Sequence, residues 1–435
     1  MSFMPIKFVG TDIPSAEDLR NCIHCGFCLP SCPTYISTGH ELESPRGRLH
    51  LIDAVRSGRI DINDRLLGHL DLCLQCRACE TACPSGVPYG RIMEDARASI
   101  MSNPRSLQPK QWRLRTFLLR NVIVRPIILR LAILPLRIYS KTRLQSLFRK
   151  HIYKWLPKRI VNFEALIPEI NSKRFHQREI LSSPDNASMR VALIMGCVQG
   201  EIFPQTHEAT INVLEKLGCE VIAPPSQVCC GALHLHAGDM QKSRELARKN
   251  IRAFEEHQVD AIIVNAAGCG STLKEYDHLL REDIKWSERA QVFSDKVEDI
   301  LEFVAPRMQE ENFQNSLSKI DINVTLQDSC HLAHAQGIRK APRDILNQIP
   351  GINLHEMSNP DRCCGSAGIY SLVQSEMSNN ILDTKMEDIL TTESSIICTA
   401  NPGCTLQLQS GVRKSGFDAE VLHVIELLNR SLVQK

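Results

Sequence analysis

Two cysteine runs hold most of the chemistry open to this 435-residue chain. Cys22, Cys25, Cys28 and Cys32 lie in C-I-H-C-G-F-C-L-P-S-C-P, and Cys73, Cys76, Cys79 and Cys83 lie in C-L-Q-C-R-A-C-E-T-A-C-P. Each cysteine recurs after 51 residues and Pro33 recurs as Pro84, so one unit is used twice. The spacing C-x2-C-x2-C-x3-C-P lets three thiolates of one loop reach three irons of a cubane cluster, with the fourth handed to the other cluster of a pair. It predicts one [4Fe–4S] cluster on Cys22, Cys25, Cys28 and Cys83, and a second on Cys73, Cys76, Cys79 and Cys32. The proline after each run turns the chain away where a missing N–H does no harm. Structural zinc sites prefer two separated C-x2–4-C knuckles. His24 and Gln75 hold matching places in the two loops and read as solvated residues, not ligands.

A second cysteine set repeats with an offset of 133 to 135 residues. Cys197 pairs with Cys330, Cys229-Cys230-Gly231 with Cys363-Cys364-Gly365, and Cys269 with Cys404. Four thiols per unit can make one metal site, so these eight residues form two cofactor-binding sets. Adjacent cysteines rarely join as a disulfide, because the eight-membered ring strains the peptide. Gly231 and Gly365 would permit a positive φ, or close approach of a cluster or partner. Nearby His234, His236, His331 and His334 are candidates for ligation or proton transfer, His331 and His334 being the best placed. A satisfied or solvated imidazole is the simpler reading of each. Of the 18 cysteines only Cys219 and Cys398 remain, and both read as buried small hydrophobes.

The elements that position these thiols follow from periodicity. The predicted fold is α plus α/β: a helical two-cluster ferredoxin-like domain, then two repeated βαβ-type cysteine-rich (CCG) units. Residues 1–100 form the helical domain, in which Ser44-Pro45 starts a helix carrying Leu49, Ile52 and Val55. Residues 101–185 form a basic, apolar helical connector. Residues 186–315 and 316–435 form the two CCG units. Their predicted strands are 191–195, 261–266, 324–328 and 395–400, with helices such as 239–257 and 376–390 between them. Such alternation argues for parallel sheets covered by helices, and sites in these sheets form at strand ends.

Charge is unevenly distributed. The total is near neutral, with 51 Lys and Arg against 49 Asp and Glu, which excludes a generally basic nucleic-acid binder. Residues 96–163 contain no acid and 16 bases, so the remainder holds 35 bases and 49 acids, a net of −14. Within this stretch, FLLRNVIVRPIILRLAILPLRIY (117–139) shows no clean polar face on a helical wheel, and Pro126 and Pro135 are expected to interrupt it. It is read as a surface for anionic lipid, an arm that docks on a partner, or a linker packed on its own domain. No apolar stretch is long enough for an ordinary transmembrane helix. The N-terminus MSFMPIKFVG lacks an apolar signal region, and the many thiols imply assembly in the reducing cytoplasm.

The motifs resemble those of the iron–sulfur subunits of bacterial glycolate oxidase. They are C-I-H-C-G-F-C-L-P-S-C-P-T-Y, S-P-R-G-R-L-H-L-I, C-L-Q-C-R-A-C-E-T-A-C-P-S-G-V, A-A-G-C-G-S-T-L-K-E-Y and C-C-G-S-A-G-I-Y, and they run from residue 22 to about 405. The resemblance implies an electron-transfer subunit that takes electrons from FAD-containing partner subunits oxidising glycolate to glyoxylate. It implies two [4Fe–4S] clusters, peripheral association with the cytoplasmic face of the bacterial inner membrane, and a respiratory acceptor such as quinone. The architecture is also similar to lactate-utilisation subunits, the C subunit of anaerobic glycerol-3-phosphate dehydrogenase and heterodisulfide reductase. In the last, each CCG unit ends in C-x-x-C; here Ala266 and Asn401 stand at the first position, which puts a five-thiol cluster and disulfide reduction in doubt. Further clusters in the CCG units stay open at this point, and so does a zinc-stapled scaffold. No G-x-G-x-x-G follows a strand, so the chain shows no dinucleotide site of its own.

Overall fold

Ser44 and Pro45 start the helix that the sequence predicts. The Ser44 hydroxyl accepts from the Gly47 N–H at 3.0 Å, and Pro45 takes the first helical position, where no N–H is needed. In the computed structural model, the described residues are 7–104, 108–142, 155–165 and 178–433, with 145, 149, 152, 167, 174 and 175. Much of the second half of the predicted connector lies outside them. Helix α1 (Pro45–Arg56) buries Leu49, Ile52 and Val55 against α2 (Asp64–Asp71) and α3 (Tyr89–Met101). Leu70, Ile92 and Met93 complete this core, which holds the two cysteine loops in place.

The connector begins with α4 (Lys110–Leu118), anchored by Trp112, whose indole N–H donates to Asp71 at 2.6 Å in a fully buried site. A π-helical turn (Leu119–Ile123) continues α4, and a short break at residues 124–125 precedes α5 (Pro126–Lys141). Pro126 starts α5, as its fixed φ favours. Pro135, expected to interrupt the helix, sits inside it instead; it deletes one hydrogen bond without ending the element. The break also corrects the single-wheel reading of the arginines. Arg120 pairs with Asp239 at 2.6 Å, Arg130 with Glu201 at 3.0 Å, and Arg137 donates to the Glu201 carbonyl at 2.9 Å. The guanidinium groups therefore bond to the first CCG unit, while the Arg120 and Arg130 side chains stay 44% and 40% exposed.

Two sheets follow. The first has order β1-β3-β2-β4-β5, from Ile180–Ser182, Met189–Leu193, Cys219–Ile222, Ala261–Val264 and Val297–Asp299. Only β1 runs antiparallel to its neighbour. The second has order β7-β6-β8-β9, from Ile322–Leu326 (β6), Ile352–Leu354 (β7), Ile396–Thr399 (β8) and Glu420–His423 (β9), and is parallel throughout. The strands predicted at 191–195 and 324–328 begin two residues earlier, at Met189 and Ile322. Cys219 opens β3 and Cys398 lies in β8, both buried, as small hydrophobes should be.

The two units share one apolar core. Val191 and Leu193 of the first sheet, Val324 and Leu326 of the second, and α6 (Pro204–Lys216) and α12 (Val424–Ser431) all contribute to it. Loops at the strand ends bond across the pair: the Ala267 N–H donates to the Ala400 carbonyl and the Gly268 N–H to the Asn401 side chain, each at 3.1 Å. The carboxyl ends of both sheets are thereby brought face to face.

Candidate metal and electron-transfer centre

In the helical domain the eight cysteines border two small pockets. One is walled by Cys22, Cys25, Cys28 and Cys83, with Pro84 and Arg46 beside them. The other is walled by Cys32, Cys73, Cys76 and Cys79, with Arg48 and Tyr89. Cys79 borders both pockets. The last cysteine of each run is thus carried to the other run's loop, the crossing that the sequence predicts. Two groups point hydrogen at the second set: the Gln75 N–H and the Tyr89 hydroxyl lie 3.4 and 3.6 Å from the Cys73 sulfur. Thr34 Oγ1 lies 3.2 Å from the Cys32 sulfur but gives its hydrogen to the Glu43 carbonyl at 2.7 Å. Burial pushes the thiols of Cys28, Cys76 and Cys79 up. Four sulfur donors gathered at each pocket are the ligand set of a [4Fe–4S] group, so the donor set fits an iron–sulfur group.

Arg48 lies under the second pocket, 1% exposed. It pairs with Glu43 at 2.6 Å and donates to Thr34 Oγ1 at 3.1 Å, placing a permanent cation beside Cys32 and Cys73.

In the CCG units every site thiol follows a strand's carboxyl end. Cys197, Cys229-Cys230 and Cys269 come after β2, β3 and β4; Cys330, Cys363-Cys364 and Cys404 come after β6, β7 and β8. Cys269 lies in the first turn of α9 (Ala267–Lys274) and Cys404 in that of α11 (Pro402–Ser415). The Cys197 and Cys229 sulfurs are 3.7 Å apart. The Gly365 N–H approaches the Cys363 sulfur at 3.4 Å, and the Asn401 amide approaches that of Cys404 at 3.7 Å. Sulfur–hydrogen bonds from neighbours hold Cys229 and Cys363 below the ordinary thiol value; their donors Cys197, Cys230, Cys330 and Cys364 are raised correspondingly. Gly231 and Gly365 both adopt the left-handed region, φ +88° and +87°. The close approach at Gly365 comes from the helix α10 (Ser375–Leu390): an added Cβ would sit 2.5 Å from the Ser378 carbonyl.

All eight CCG thiols line a single cavity of about 310 Å³. The repeat in the sequence predicts two separate sites. Their union depends on the packing of one unit against the other, which no local motif encodes. Asn250 and Tyr276, which no motif singles out, tie down the C-C pair: Asn250 donates to the Cys229 carbonyl at 3.2 Å, and Tyr276 to that of Cys230 at 2.7 Å.

The second cysteine loop forms part of the same cavity wall through Leu74 and Gln75. Gln75, expected to be solvated, is 3% exposed because the second CCG unit covers it, whereas His24 in the matching position is exposed. Cys76 packs with Cys330, Cys363 and Tyr370. Of the four histidines, His236 and His331 line the cavity. His331 bonds Gln75 and Ser271, His236 bonds Glu94, His234 bonds Asp239, and His334 bonds Thr81 and the Asp361 carbonyl. No hydrogen bond between these imidazoles and a cysteine sulfur is found among the described residues, and no three His, Cys, Asp or Glu side chains there are placed to hold one metal ion.

Paired ferredoxin-type loops docked on two cysteine-rich α/β units define an iron–sulfur protein of the electron-transferring class. A 4Fe-4S dicluster domain matches residues 18–87, and a cysteine-rich domain matches 191–274 and 324–409. The linker region of the glycolate oxidase iron–sulfur subunit matches 110–167. A probable glycolate oxidase iron–sulfur subunit of Bacillus subtilis (strain 168) is 42% identical over 418 residues, 94% of this chain and 93% of that one. The glycolate oxidase iron–sulfur subunit of Escherichia coli (strain K12) is 32% identical over 420 residues, covering 95% and 94%. Lactate utilization protein A of Bacillus cereus (strain G9842) is 30% identical over 241 residues, 55% of this chain and 99% of that one. The chain belongs to the family of glycolate oxidase iron–sulfur subunits, and its role is that of an electron-transfer subunit.

Proposed function

We propose that this chain receives electrons from FAD-containing partner subunits that oxidise glycolate to glyoxylate, and delivers them to a membrane quinone. The observation that carries the electron path is the contact between the second cysteine pocket and the shared CCG cavity, made through Gln75, Cys76 and Cys363. Cys22, Cys25, Cys28 and Cys83 would hold one [4Fe–4S] cluster, and Cys73, Cys76, Cys79 and Cys32 the second. When bound, such clusters accept and release single electrons. The chain's own residues exclude water from the second set, aim the Tyr89 hydroxyl and Gln75 N–H at sulfur, and place the Arg48 charge beside it. Each of these favours added negative charge. The CCG thiols would hold a further metal centre, in two sets that face one space.

Glycolate is preferred over lactate because similarity to the glycolate oxidase subunits runs the whole length, connector included. The similarity to lactate utilization protein A covers little more than half the chain. The domain limits 1–100, 101–185, 186–315 and 316–435 are retained on the same basis.

The connector supports peripheral contact with the membrane. No helix among the described residues is long and apolar enough to cross one. On α5, however, Ile127, Leu131, Leu134 and Ile138 are 48–69% exposed and fall on one helical stripe, opposite the buried Leu129 and Ile133. Leu114, Phe117 and Leu118 continue the exposed apolar surface on α4. Arg120, Arg130 and Arg137 bond to the first CCG unit while Arg125 is exposed, so the outer face offers aliphatic side chains to lipid with cationic side chains beside them.

The test is anaerobic purification of the complex with its flavin subunits, iron and acid-labile sulfide analysis, and EPR before and after glycolate. Two cubane clusters' worth of iron and sulfide or more, with glycolate-dependent signals, is expected. Zinc in place of iron, or iron centres that glycolate leaves oxidised, would overturn the assignment.

A further inference from the structure

The two cysteine loops are copies of one unit, yet the chain covers one and leaves the other bare. His24 and Gln75 hold the same place in them and the same left-handed backbone, φ +56° and +54°, so the loops present matching faces. On the second loop that face is an interface. Leu74, Cys76 and Ala78 are 7–9% exposed and pack with Cys363, Tyr370 and Ile381 of the second CCG unit. The Gln75 carbonyl accepts from His331, and Arg77 pairs with Glu275 of the first unit at 2.8 Å.

On the first loop the same face meets solvent. With the 51-residue offset, Ile23 corresponds to Leu74, Cys25 to Cys76 and Phe27 to Ala78. Ile23 is 68% exposed and Phe27 66%. All 18 cysteines are among the described residues, and of them Cys25 alone is exposed. Single apolar residues on a surface are ordinary. Here two large ones flank a ligand thiol within five residues, at positions whose counterparts are interface residues. Phe27 replaces an alanine, so the bare copy carries more apolar surface than the covered one.

A polar rim surrounds this centre. The His24 carbonyl accepts from Arg46 at 2.8 Å, and Arg46 is fixed by Glu41 at 2.7 Å. His50 stands edge-on to His24, ring centroids 6.4 Å apart, and both rings are exposed. An apolar centre with a hydrogen-bonding rim is the make-up of a protein–protein interface. The order of the thiol sets says which protein belongs there. Cys79 borders both pockets of the helical domain, and Cys76 packs with Cys330 and Cys363 of the shared CCG site. The three sets therefore form a series with Cys25 at its exposed end. Electron transfer weakens steeply with distance, so a donor protein must bring its redox group to that end.

We propose that the Cys22–Cys28 loop is the docking face of the flavin-bearing partner subunit, with Ile23 and Phe27 as its apolar anchors, and that electrons enter the chain there. This rests on the electron-transfer reading above. In each passage the flavin loses one electron and the group held by Cys22, Cys25, Cys28 and Cys83 gains it. The two electrons of one glycolate need two passages, and the accompanying protons are released on the flavin side. The partner does for the first loop what the second CCG unit does for the second: it covers the apolar face and excludes water from the thiol.

The experiment is photo-cross-linking in the whole complex, purified anaerobically, with p-benzoylphenylalanine in place of Phe27 and, as the reference position, in place of Ile284, which is 96% exposed in the first CCG unit. Peptide mapping should find position 27 joined to a flavin subunit at a yield at least tenfold above that from position 284. An adduct to a second copy of this chain or to lipid, no adduct, or equal yields would overturn the proposal. Phe27→Glu places a charge at the centre of the face. With iron and sulfide content retained, it should slow glycolate-driven reduction of the clusters at least tenfold, read by EPR, while dithionite still reduces them fully. An unchanged rate would count against the face; if the variant loses iron, the cross-link decides. Cross-linking needs no electron flow, and glycolate-dependent EPR of the wild type tests the electron path itself, so failure of the one is distinct from failure of the other.

Discussion

The imidazole of His331 donates from Nε2 to the carbonyl of Gln75 at 2.9 Å, joining the second cysteine loop to a CCG unit 256 residues further along the chain. Its Nδ1 faces Ser271 Oγ of the other unit at 2.9 Å, so one ring touches all three cysteine-bearing parts. Gln75 is in the left-handed region, φ +54°, which turns its carbonyl out of the loop toward this ring. Replacing His331 with Phe keeps the ring volume and removes both bonds. The junction should weaken by about 1–3 kcal/mol, the usual cost of orphaning a buried group. Hydrogen exchange should accelerate at residues 72–80, with the sheet amides unchanged. Equal protection of these residues in the variant would show that apolar packing alone holds the junction.

Gly365 should tolerate alanine worse than its repeat partner Gly231. Both have positive φ, which costs an alanine roughly 1 kcal/mol or more. At Gly365 the new methyl meets the Ser378 backbone carbonyl at 2.5 Å, while at Gly231 it meets the Ser243 hydroxyl at 2.8 Å. A hydroxyl can rotate, whereas a helix carbonyl moves only with α10. Thermal denaturation should place Gly365→Ala below Gly231→Ala, with a loss of about 3 kcal/mol for the former. The reverse order would show that α10 yields more easily than α8 (Met240–Glu255).

Arg48 should set the potential of the second cysteine site. The side chain is buried beside Cys32 and Cys73, so its charge is poorly screened there. Arg48→Gln keeps a hydrogen-bond donor and deletes the cation. The reduced state, more negative by one charge, loses that stabilisation. EPR-monitored titration should find the corresponding midpoint lower by tens of millivolts, and that of the other cluster nearly unmoved. Equal shifts at both would point to a general loss of structure.

Stability should depend on pH through Glu94. Its folded-state pKa, about 8, lies above the ordinary 4.5, so the folded protein binds this proton more tightly than the unfolded chain does. A raised carboxyl contributes its full stability below the unfolded value and loses it as pH rises toward the folded value. Between pH 6 and 8 the group should account for a decline of up to about 1.4 kcal/mol per pH unit. Thermal melts of the wild type should therefore fall more steeply over this window than those of Glu94→Gln. Parallel curves would mean that Glu94 ionises without cost.

The helical domain's cysteine chemistry was legible because ligand spacing within a loop is a local property. The placement of Cys83 and Cys32 beside the other run's loop depends on how the two halves pack, which 40 intervening residues between Cys32 and Cys73 leave open in the sequence. Gln75 was misjudged because its burial comes from residues around His331, and nothing in C-L-Q-C records that contact. The strands β5 and β7 have three residues each, too few for a period to show. The single cavity was hidden because repeat symmetry describes each unit alone. The connector arginines misled because a wheel assumes one regular α-helix, whereas the π-helical turn at Leu119–Ile123 and the break at 124–125 change its phase and bring Arg120 and Arg130 to Asp239 and Glu201.

Those pairs leave the outer face of α5 directly testable. Ile127 and Leu131 are 69% and 62% exposed and belong to the same stripe. Substitution of both by Glu should leave stability within about 0.5 kcal/mol, because neither side chain packs in a core. If the stripe meets lipid, the double variant buries two charges at the interface and repels anionic head groups. The wild-type complex should then co-sediment with anionic vesicles and the variant should remain in the supernatant, with glycolate-dependent dye reduction retained. Loss of the flavin subunits from the variant, with vesicle binding intact, would instead identify the stripe as the docking face for the partner. The Arg130–Glu201 pair provides the control: Arg130→Ala perturbs the inner face of the same helix at 3.0 Å from its acid, and should loosen α5 without adding negative charge to its outer face.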